Sequence, residues 1–419
     1  MIAIFKNIIF KLNSHKKIIE NYFFMTILQV INSLFYIMIY PYLIRTLGAD
    51  SYGLYIYALS VVTYFIFIIN FGFDLPATKA IALNKNSIKD VSHIFSCIFT
   101  AKVYILILSS LIFILLIALI PFLRDNSLLF IIVFAQTINF TLFPTWYYQG
   151  IQKMKTATLI QVILKLLSLP LIFILVKTSA DLSIFAMISS FTMVMGGLTA
   201  FLMVIFVDKI SLRWIGFTDL KVWLVEGFPF FLSSSVGTLK EQGIPIIIGA
   251  FFGMKDVAIY DLANKLIIIP RTILMSLNAA LFPKIVIENN KKTIKKILQY
   301  EFLIGILVIA LIVIFGYWVI LFLGGETMTD AYPLAIVLST TIMSWLIVGA
   351  IISFLFIPNH KNYLIAINQV IALAAVVIFV LLGFLIKISI FVLVGALAFS
   401  AIVEIIFCLY QTRKYKLLQ

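Results

Sequence analysis

Apolar stretches of about twenty residues, broken by short polar segments, recur from one end of this chain to the other. At a rise of 1.5 Å per residue, about twenty such residues carry a helix across the hydrocarbon core of a bilayer. The pattern predicts twelve helices, near 20–44, 53–74, 93–120, 127–149, 157–176, 182–207, 228–252, 256–282, 298–323, 331–357, 362–384 and 388–411. The ten-residue alternating strands of a membrane barrel do not appear. Ahead of the first span, Ile4, Phe5, Ile8, Ile9 and Leu12 share a helical face, and Lys6, Lys11, Lys16 and Lys17 supply charge. That pattern predicts an amphipathic helix over 1–18 at the cytoplasmic surface. It lacks the small-residue cleavage site of a signal peptide.

Composition supports an all-α integral membrane protein. The chain is 63% hydrophobic and 11% charged, with a mean hydropathy of +1.16, where a soluble domain is about a quarter charged. The basic residues set an orientation. With the N-terminus inside, Lys and Arg crowd the N-terminal segment, 79–89, 209–221, 284–296 and 413–416. The outer loops hold only Arg45, Arg124, Lys177, Lys255 and Lys387. Both termini are therefore expected in the cytoplasm, the chain crossing its membrane many times. Most of the net charge of +14 then faces anionic membrane lipid, which argues against nucleic acid as a partner. Cys97 and Cys408 stand far apart and form no metal pattern. A phosphate-binding G-x-x-x-x-G-K-[ST] loop and a nucleophile–base constellation are both missing. No catalytic residue, metal or cofactor is expected, and the reading is of a transporter.

The chain also repeats itself at an offset of 205 residues. "LGADSYGLYIYA" (Leu47–Ala58) resembles "FGMKDVAIYDLA" (Phe252–Ala263), matching Gly48 to Gly253, Gly53 to Ala258, Tyr55 to Tyr260 and Ala58 to Ala263. Lys79 likewise meets Lys284. A duplicated six-helix unit follows. An even number of spans inserts both copies the same way up, as parallel repeats. The expected organisation is an N-lobe over 19–207, a cytoplasmic linker over 208–227, a C-lobe over 228–413 and a tail over 414–419.

Against this apolar background the internal charges stand out. Lys102, Lys165, Lys240, Lys265 and Arg271 fall within expected spans, where a charge costs about 2.5–3.5 kcal/mol even on a lenient scale. Lys240 lies about 17 Å from either end of its span. On the eighth span Asp261, Asn264, Lys265, Arg271 and Thr272 fall within about 120° of the axis. On the seventh, Ser233 and Gly237 share the Lys240 side. Such a stripe must face protein or water. The positions 205 residues before Lys240, Glu241, Asp261, Lys265 and Arg271 are Phe35, Tyr36, Ile56, Ser60 and Ile66. One copy of the repeat thus builds its helices without these charges. Structural pairing remains open, since Asp261 and Lys265 are i,i+4 and Glu241 can meet Lys240 or Arg271. Set against Glu241 and Asp261, the cations Lys165, Lys240, Lys265 and Arg271 leave a positive surplus, which an anion would satisfy. Glu241 and Asp261 are also candidates for coupling to a proton or sodium ion.

"YPYLIRTLGADSYGLYIYA" (40–58), "NFGFDLPATKAIA" (70–82), "FPTWYYQGIQKMK" (143–155) and "ALFPKI" (280–285), in that order and spacing, resemble polysaccharide repeat-unit flippases. These belong to the multidrug/oligosaccharidyl-lipid/polysaccharide exporter superfamily. The resemblance runs from about Asn21 to Arg413. It implies two six-helix lobes around a central cationic cavity, and transfer of an undecaprenyl-diphosphate-linked oligosaccharide from the cytoplasmic to the periplasmic leaflet. It also implies contacts with a polysaccharide polymerase and a chain-length regulator. Its cavity positions vary, so depth and helix face alone nominate Lys240, Lys265, Arg271 and Lys165, with Ser233, Asn264 and Thr272, as diphosphate- and sugar-binding residues. In "PTWYYQG" the aromatics Trp146, Tyr147 and Tyr148 read either as interfacial anchors or as a sugar-stacking platform.

Two other readings compete. A multidrug cation exporter of the same fold would want acids in the first lobe, and span 20–44 has only Glu20 at its edge. A membrane polysaccharide polymerase would want a large outer loop with catalytic residues, and the longest, near Gly324–Asp330, is short.

Overall fold

The computed structural model describes the backbone of residues 2–288 and 291–418, with side chains throughout except at 2–19, 21, 22, 233 and 275–288. Among the described residues the chain is helical almost throughout and has no strand. Among the described residues nine helices are long and apolar enough to cross a membrane, or ten if Phe217–Leu232 and Ser234–Phe251 form one broken span. Twelve were expected, and the difference has physical sources. The first two expected spans lie in one stretch, Phe23–Asn84, as two helices that meet directly at a kink at Gly48, whose backbone is not helical (φ 79°, ψ 164°). The Met254–Glu288 helix is the eighth expected span. Asp261, Lys265 and Arg271 interrupt its apolar run, and its side chains from 275 onward, Lys284 included, lie outside the described residues. The backbone is helical from Ile2, while the side chains of the expected amphipathic segment 1–18 also lie outside them.

The chain divides into two compact units. One comprises Met1–Asn32 and Val61–Ser234, the other Ser33–Ser60 and Ser235–Gln419. Residues 33–60 thus group with the second unit rather than with the rest of the expected N-lobe, and the expected linker falls inside the first unit. Its backbone is tied there by serines one turn apart on the Ile88–Leu119 helix. The Ser211 amide donates to Ser92 Oγ (3.1 Å) and the Arg213 amide to Ser96 Oγ (3.0 Å). Trp214 Nε1 adds a bond to the Tyr104 hydroxyl (2.9 Å).

Inside the first unit two helix breaks expose backbone groups that hydrocarbon cannot satisfy. At Asn70–Phe73 the chain passes through left-handed conformations at Phe71 (φ 42°) and Gly72 (φ 70°). At Pro144 the missing N–H leaves the Phe140 carbonyl without its helical donor. Lys102, buried on the Ile88–Leu119 helix, serves both breaks. Its ammonium donates to Asn70 Oδ1 (2.9 Å) and to the Phe140 carbonyl (3.2 Å), with Asp74 at 4.0 Å. One buried cation therefore fastens three helices through oxygen acceptors.

In the second unit the two copies of the sequence repeat meet. Gly48 and its partner Gly253 both hold positive φ (79° and 111°), a conformation that favours glycine. Ala58, Ala258 and Ala263 are fully buried, as is nearly all of Tyr260. A Cβ on Gly53 would strike the Met254 carbonyl and approach the amide of Ala258, its own repeat partner, at 3.3 Å. The repeated motif is thus a close helix contact made by small residues.

Three outcomes follow for the purified protein in detergent. Gly53→Val should lower stability by about 1–3 kcal/mol, because the backbones must part to admit the side chain. Asn70→Leu should cost about 1.5–3 kcal/mol, because it strips an acceptor from a buried ammonium. Lys102→Met, which leaves both Asn70 Oδ1 and the Phe140 carbonyl without that donor, should cost at least as much. Thermal unfolding followed by intrinsic fluorescence measures all three.

Candidate functional site

The charged residues of the second unit meet in pairs that join separate helices or successive turns. Lys240, on the Phe217–Phe251 helix, forms an ion pair with Glu404 of the Ile390–Lys414 helix, their side chains 13% and 10% exposed. Glu404 also accepts from Ser344 (3.3 Å) and Ser400 (3.4 Å). Ser400, Glu404 and Cys408 succeed one another every four residues, so they line one buried face of their helix. Cys408 Sγ in turn lies 3.6 Å from Asn368 Oδ1. A carboxylate this well satisfied is held in place. Removing either partner of such a pair costs about 3–5 kcal/mol, because the other is left as an uncompensated buried charge.

Arg271 is held differently. Its Nη2 donates to Glu241 Oε1 at 3.3 Å, and its guanidinium lies over the Trp345 ring, 3.3 Å from the centroid. The side chains of Arg271 and Glu241 are 19% and 44% exposed. This single contact is longer than a strong charge-assisted bond, while the indole face holds the guanidinium plane.

Asp261 sits in a cage of tyrosines. Its carboxylate accepts from Tyr52 (3.1 Å) and Tyr36 (3.4 Å) and lies 3.8 Å from Lys265, one turn along its own helix. Lys265 Nζ stands 5.1 Å from the Tyr36 ring centroid. Tyr40 packs against both other rings, at 5.0 and 5.2 Å. Its own hydroxyl is buried without a hydrogen-bond partner.

These contacts revise several expectations. The sequence offered Glu241 as a partner for either Lys240 or Arg271. It takes Arg271, and Lys240 takes Glu404, an acid that reading did not weigh. Lys165 belongs to the first unit, where it donates to Asn32 Oδ1 at 2.6 Å. The second unit therefore matches Lys240, Lys265 and Arg271 with Glu404, Asp261 and Glu241, and does not carry the unpaired surplus expected. Asn264 is half-buried. Thr272 Oγ1 bonds its own helix at the Ile268 carbonyl (2.8 Å). The Ser233 side chain lies outside the described residues.

Trp146, Tyr147 and Tyr148 are neither a lipid-facing belt nor an open stacking platform. All three are buried in the core of the first unit with Phe95, Ala77 and Ile81. Successive residues on a helix point about 100° apart, so three in a row cannot all face outward. The short helix Thr145–Gly150 packs instead on Asp74–Asn84, where a Cβ on Gly150 would strike Ile81. The Tyr147 hydroxyl donates to Asp208 (3.1 Å) and that of Tyr148 to the Ala200 carbonyl (2.9 Å).

Glu404, Trp345, Tyr36, Tyr40 and Tyr52 are the participants that sequence reasoning missed. Glu404 had a signal, as a lone acid in an apolar span with Ser400 and Cys408 at four-residue spacing. Tyr36 and Tyr40, one turn apart, had another. Nothing in the order of residues joins Trp345 to Arg271.

The fold is that of known membrane exporters. The chain superposes on the lipid II flippase MurJ in an inward closed conformation with a TM-score of 0.68 and 12% identity, over 94% of this chain and 87% of that one. It superposes on an inward-facing multidrug resistance MATE family transporter of the MOP superfamily with a TM-score of 0.66 and 13% identity, over 93% and 99%. At such identities the likeness is one of fold. In sequence, the chain is 27% identical over 266 residues to a protein of Escherichia coli (strain K12) named "Putative O-antigen transporter". That alignment covers 64% of each chain, so the match spans just under two thirds of the curated relative. Residues 18–288 match the family described as Polysaccharide biosynthesis protein, and the chain belongs to that family.

The buried pair is open to a double-mutant cycle. Lys240→Met and Glu404→Leu should each destabilise the protein by about 3–5 kcal/mol, and the double variant should recover most of the loss. Chemical unfolding in detergent micelles measures the coupling.

Proposed function

We propose that the protein flips undecaprenyl-diphosphate-linked oligosaccharide repeat units from the cytoplasmic to the periplasmic leaflet of a bacterial inner membrane. The observation that carries this reading is membership of the polysaccharide biosynthesis family over residues 18–288. The O-antigen transporter name of its relative and a fold shared with a lipid II flippase add support. In this reading the chain crosses the membrane twelve times with both termini in the cytoplasm. Its two lobes alternate access to a polar cavity, and a polymerase and chain-length regulator take up the product on the outer side.

The physical problem is the headgroup. A diphosphate and its sugars would lose their water in hydrocarbon. Polar groups must replace that water while the polyprenyl tail stays in lipid. Lys265 and Arg271 are the cations assigned to phosphate oxygens, Arg271 through its paired N–H edge. Lys165, Ser233, Asn264 and Thr272 are assigned to phosphate or sugar. Lys240 is assigned a subsidiary part, since its pairing with Glu404 is buried. Moving two negative charges outward across an inside-negative potential of about 100 mV releases about 4–5 kcal/mol. Glu241 and Asp261 are assigned to coupling with a proton or sodium gradient where that potential does not suffice.

Export of drug cations is the second reading. The shared fold accommodates both, since a multidrug transporter superposes nearly as well as the flippase. The matched charges of the second unit keep it in view, because Glu404 reduces the cationic surplus that argued against it. Family membership favours the lipid-linked sugar.

Cells lacking the protein test the two. Lipid-linked oligosaccharides are extracted after treatment with a membrane-impermeant sugar-oxidising reagent. Single repeat units protected on the cytoplasmic face are expected, and Arg271→Ala should fail to relieve the block. Units exposed on the periplasmic face would move the defect to polymerisation. Absence of accumulation, with new sensitivity to cationic compounds, would make the protein a drug exporter.

A further inference from the structure

The mid-span cations Lys240, Lys265 and Arg271 are not equally available to an incoming anion. Lys240 is buried against a carboxylate that two serines also hold. Lys265 shares its turn with Asp261, which two tyrosine hydroxyls fix from another stretch of chain. Arg271 is stacked face-on against Trp345 at 3.3 Å. That contact uses the flat face of the guanidinium and leaves its N–H edge for hydrogen bonding. Along that edge Nη2 meets Glu241 Oε1 at 3.3 Å, longer than the 2.7–2.9 Å of a strong charge-assisted bond. Glu241 is 44% exposed, so its carboxylate is not enclosed by the protein and has room to move off.

We propose that Trp345, Arg271 and Glu241 form a diphosphate-binding fork that is closed by an internal carboxylate. Trp345 is a positioning residue: it fixes the plane of the guanidinium and pre-orders a side chain that otherwise turns freely. Arg271 supplies the paired donors that match two oxygens of one phosphate. Glu241 presents oxygen to the same edge and occupies it until a phosphate oxygen displaces it. Its role is competition with the substrate, which differs from the ion coupling assigned to it from sequence. The choice of diphosphate as the anion rests on the flippase reading. The fork's geometry does not, since it follows from three side chains on three helices, Phe217–Phe251, Met254–Glu288 and Ala331–Ile351.

The test is calorimetric titration of inorganic diphosphate into the full chain in lipid nanodiscs. Glu241→Gln should tighten binding about tenfold, because the amide no longer competes as an anion. A merely structural ion pair would not give that gain. Trp345→Phe should stay within about threefold of the parent, because an aromatic face remains, and Trp345→Leu should weaken binding about tenfold. Arg271→Lys should also weaken it, through loss of the fork. An unchanged affinity in Glu241→Gln overturns the proposal. So does an unchanged affinity in Trp345→Leu at an unchanged melting temperature. If Trp345→Leu does not fold, Glu241→Gln and Trp345→Phe still decide. Discs doped with a polyprenyl diphosphate identify the source of the anion: competition assigns the fork to a lipid headgroup, and its absence to a soluble diphosphate. A flat titration together with lipid-linked units trapped in cells overturns the fork and leaves the flippase reading standing. Binding as expected, with no units trapped, keeps the fork and overturns that reading.

Discussion

A charge carried on a membrane-spanning helix has to be answered by the protein itself, because hydrocarbon offers neither water nor hydrogen bonds. Lys240 and Glu404 obey this constraint most completely. Together they fasten the Phe217–Phe251 and Ile390–Lys414 helices. In the first unit Lys102 meets the same constraint with neutral acceptors. It takes up the carbonyl that Pro144 leaves without a donor and the amide oxygen of Asn70 at a second helix break. The carbonyl orphaned at Pro144 is satisfied by this buried cation, which at the other break holds the Asn70 side chain.

The same physics ranks the internal charges by what they can do. A pair that is buried and further hydrogen-bonded resists exchange, since releasing one partner strands the other. A pair that is long and half-exposed exchanges readily. Lys240–Glu404 lies at the first extreme and Arg271–Glu241 at the second. Asp261 stands between them, buried but held by tyrosine hydroxyls as well as by Lys265. A cation count alone treats these as equivalents, and depth along a helix does not separate them either.

The duplication gives the second unit part of its internal logic. The repeated segments around Gly48 and Gly253 pack through Gly53, Met254 and Ala258. The copy that lacks the charges supplies partners for the copy that has them. Tyr36, the repeat counterpart of Glu241, donates to Asp261, and Tyr52 lies within the repeated motif itself.

Hydrophobic spacing by itself determined the all-helical membrane class, because a run of about twenty apolar residues has few other stable fates. The glycine repeat was equally legible, since positive φ restricts residue choice locally. So were the charged stripes on the seventh and eighth spans, where periodicity places side chains on a face. The partner across the gap was not legible. Glu404 and Trp345 reach Lys240 and Arg271 from helices distant in the chain, and no local rule relates their positions. Burial of Trp146, Tyr147 and Tyr148 likewise depended on Phe95 and Ile81 arriving from other helices, where sequence alone offered the membrane interface. Tertiary structure decided which charges are locked and which are open, because that distinction rests on distance, solvent exposure and the polar groups of neighbouring helices.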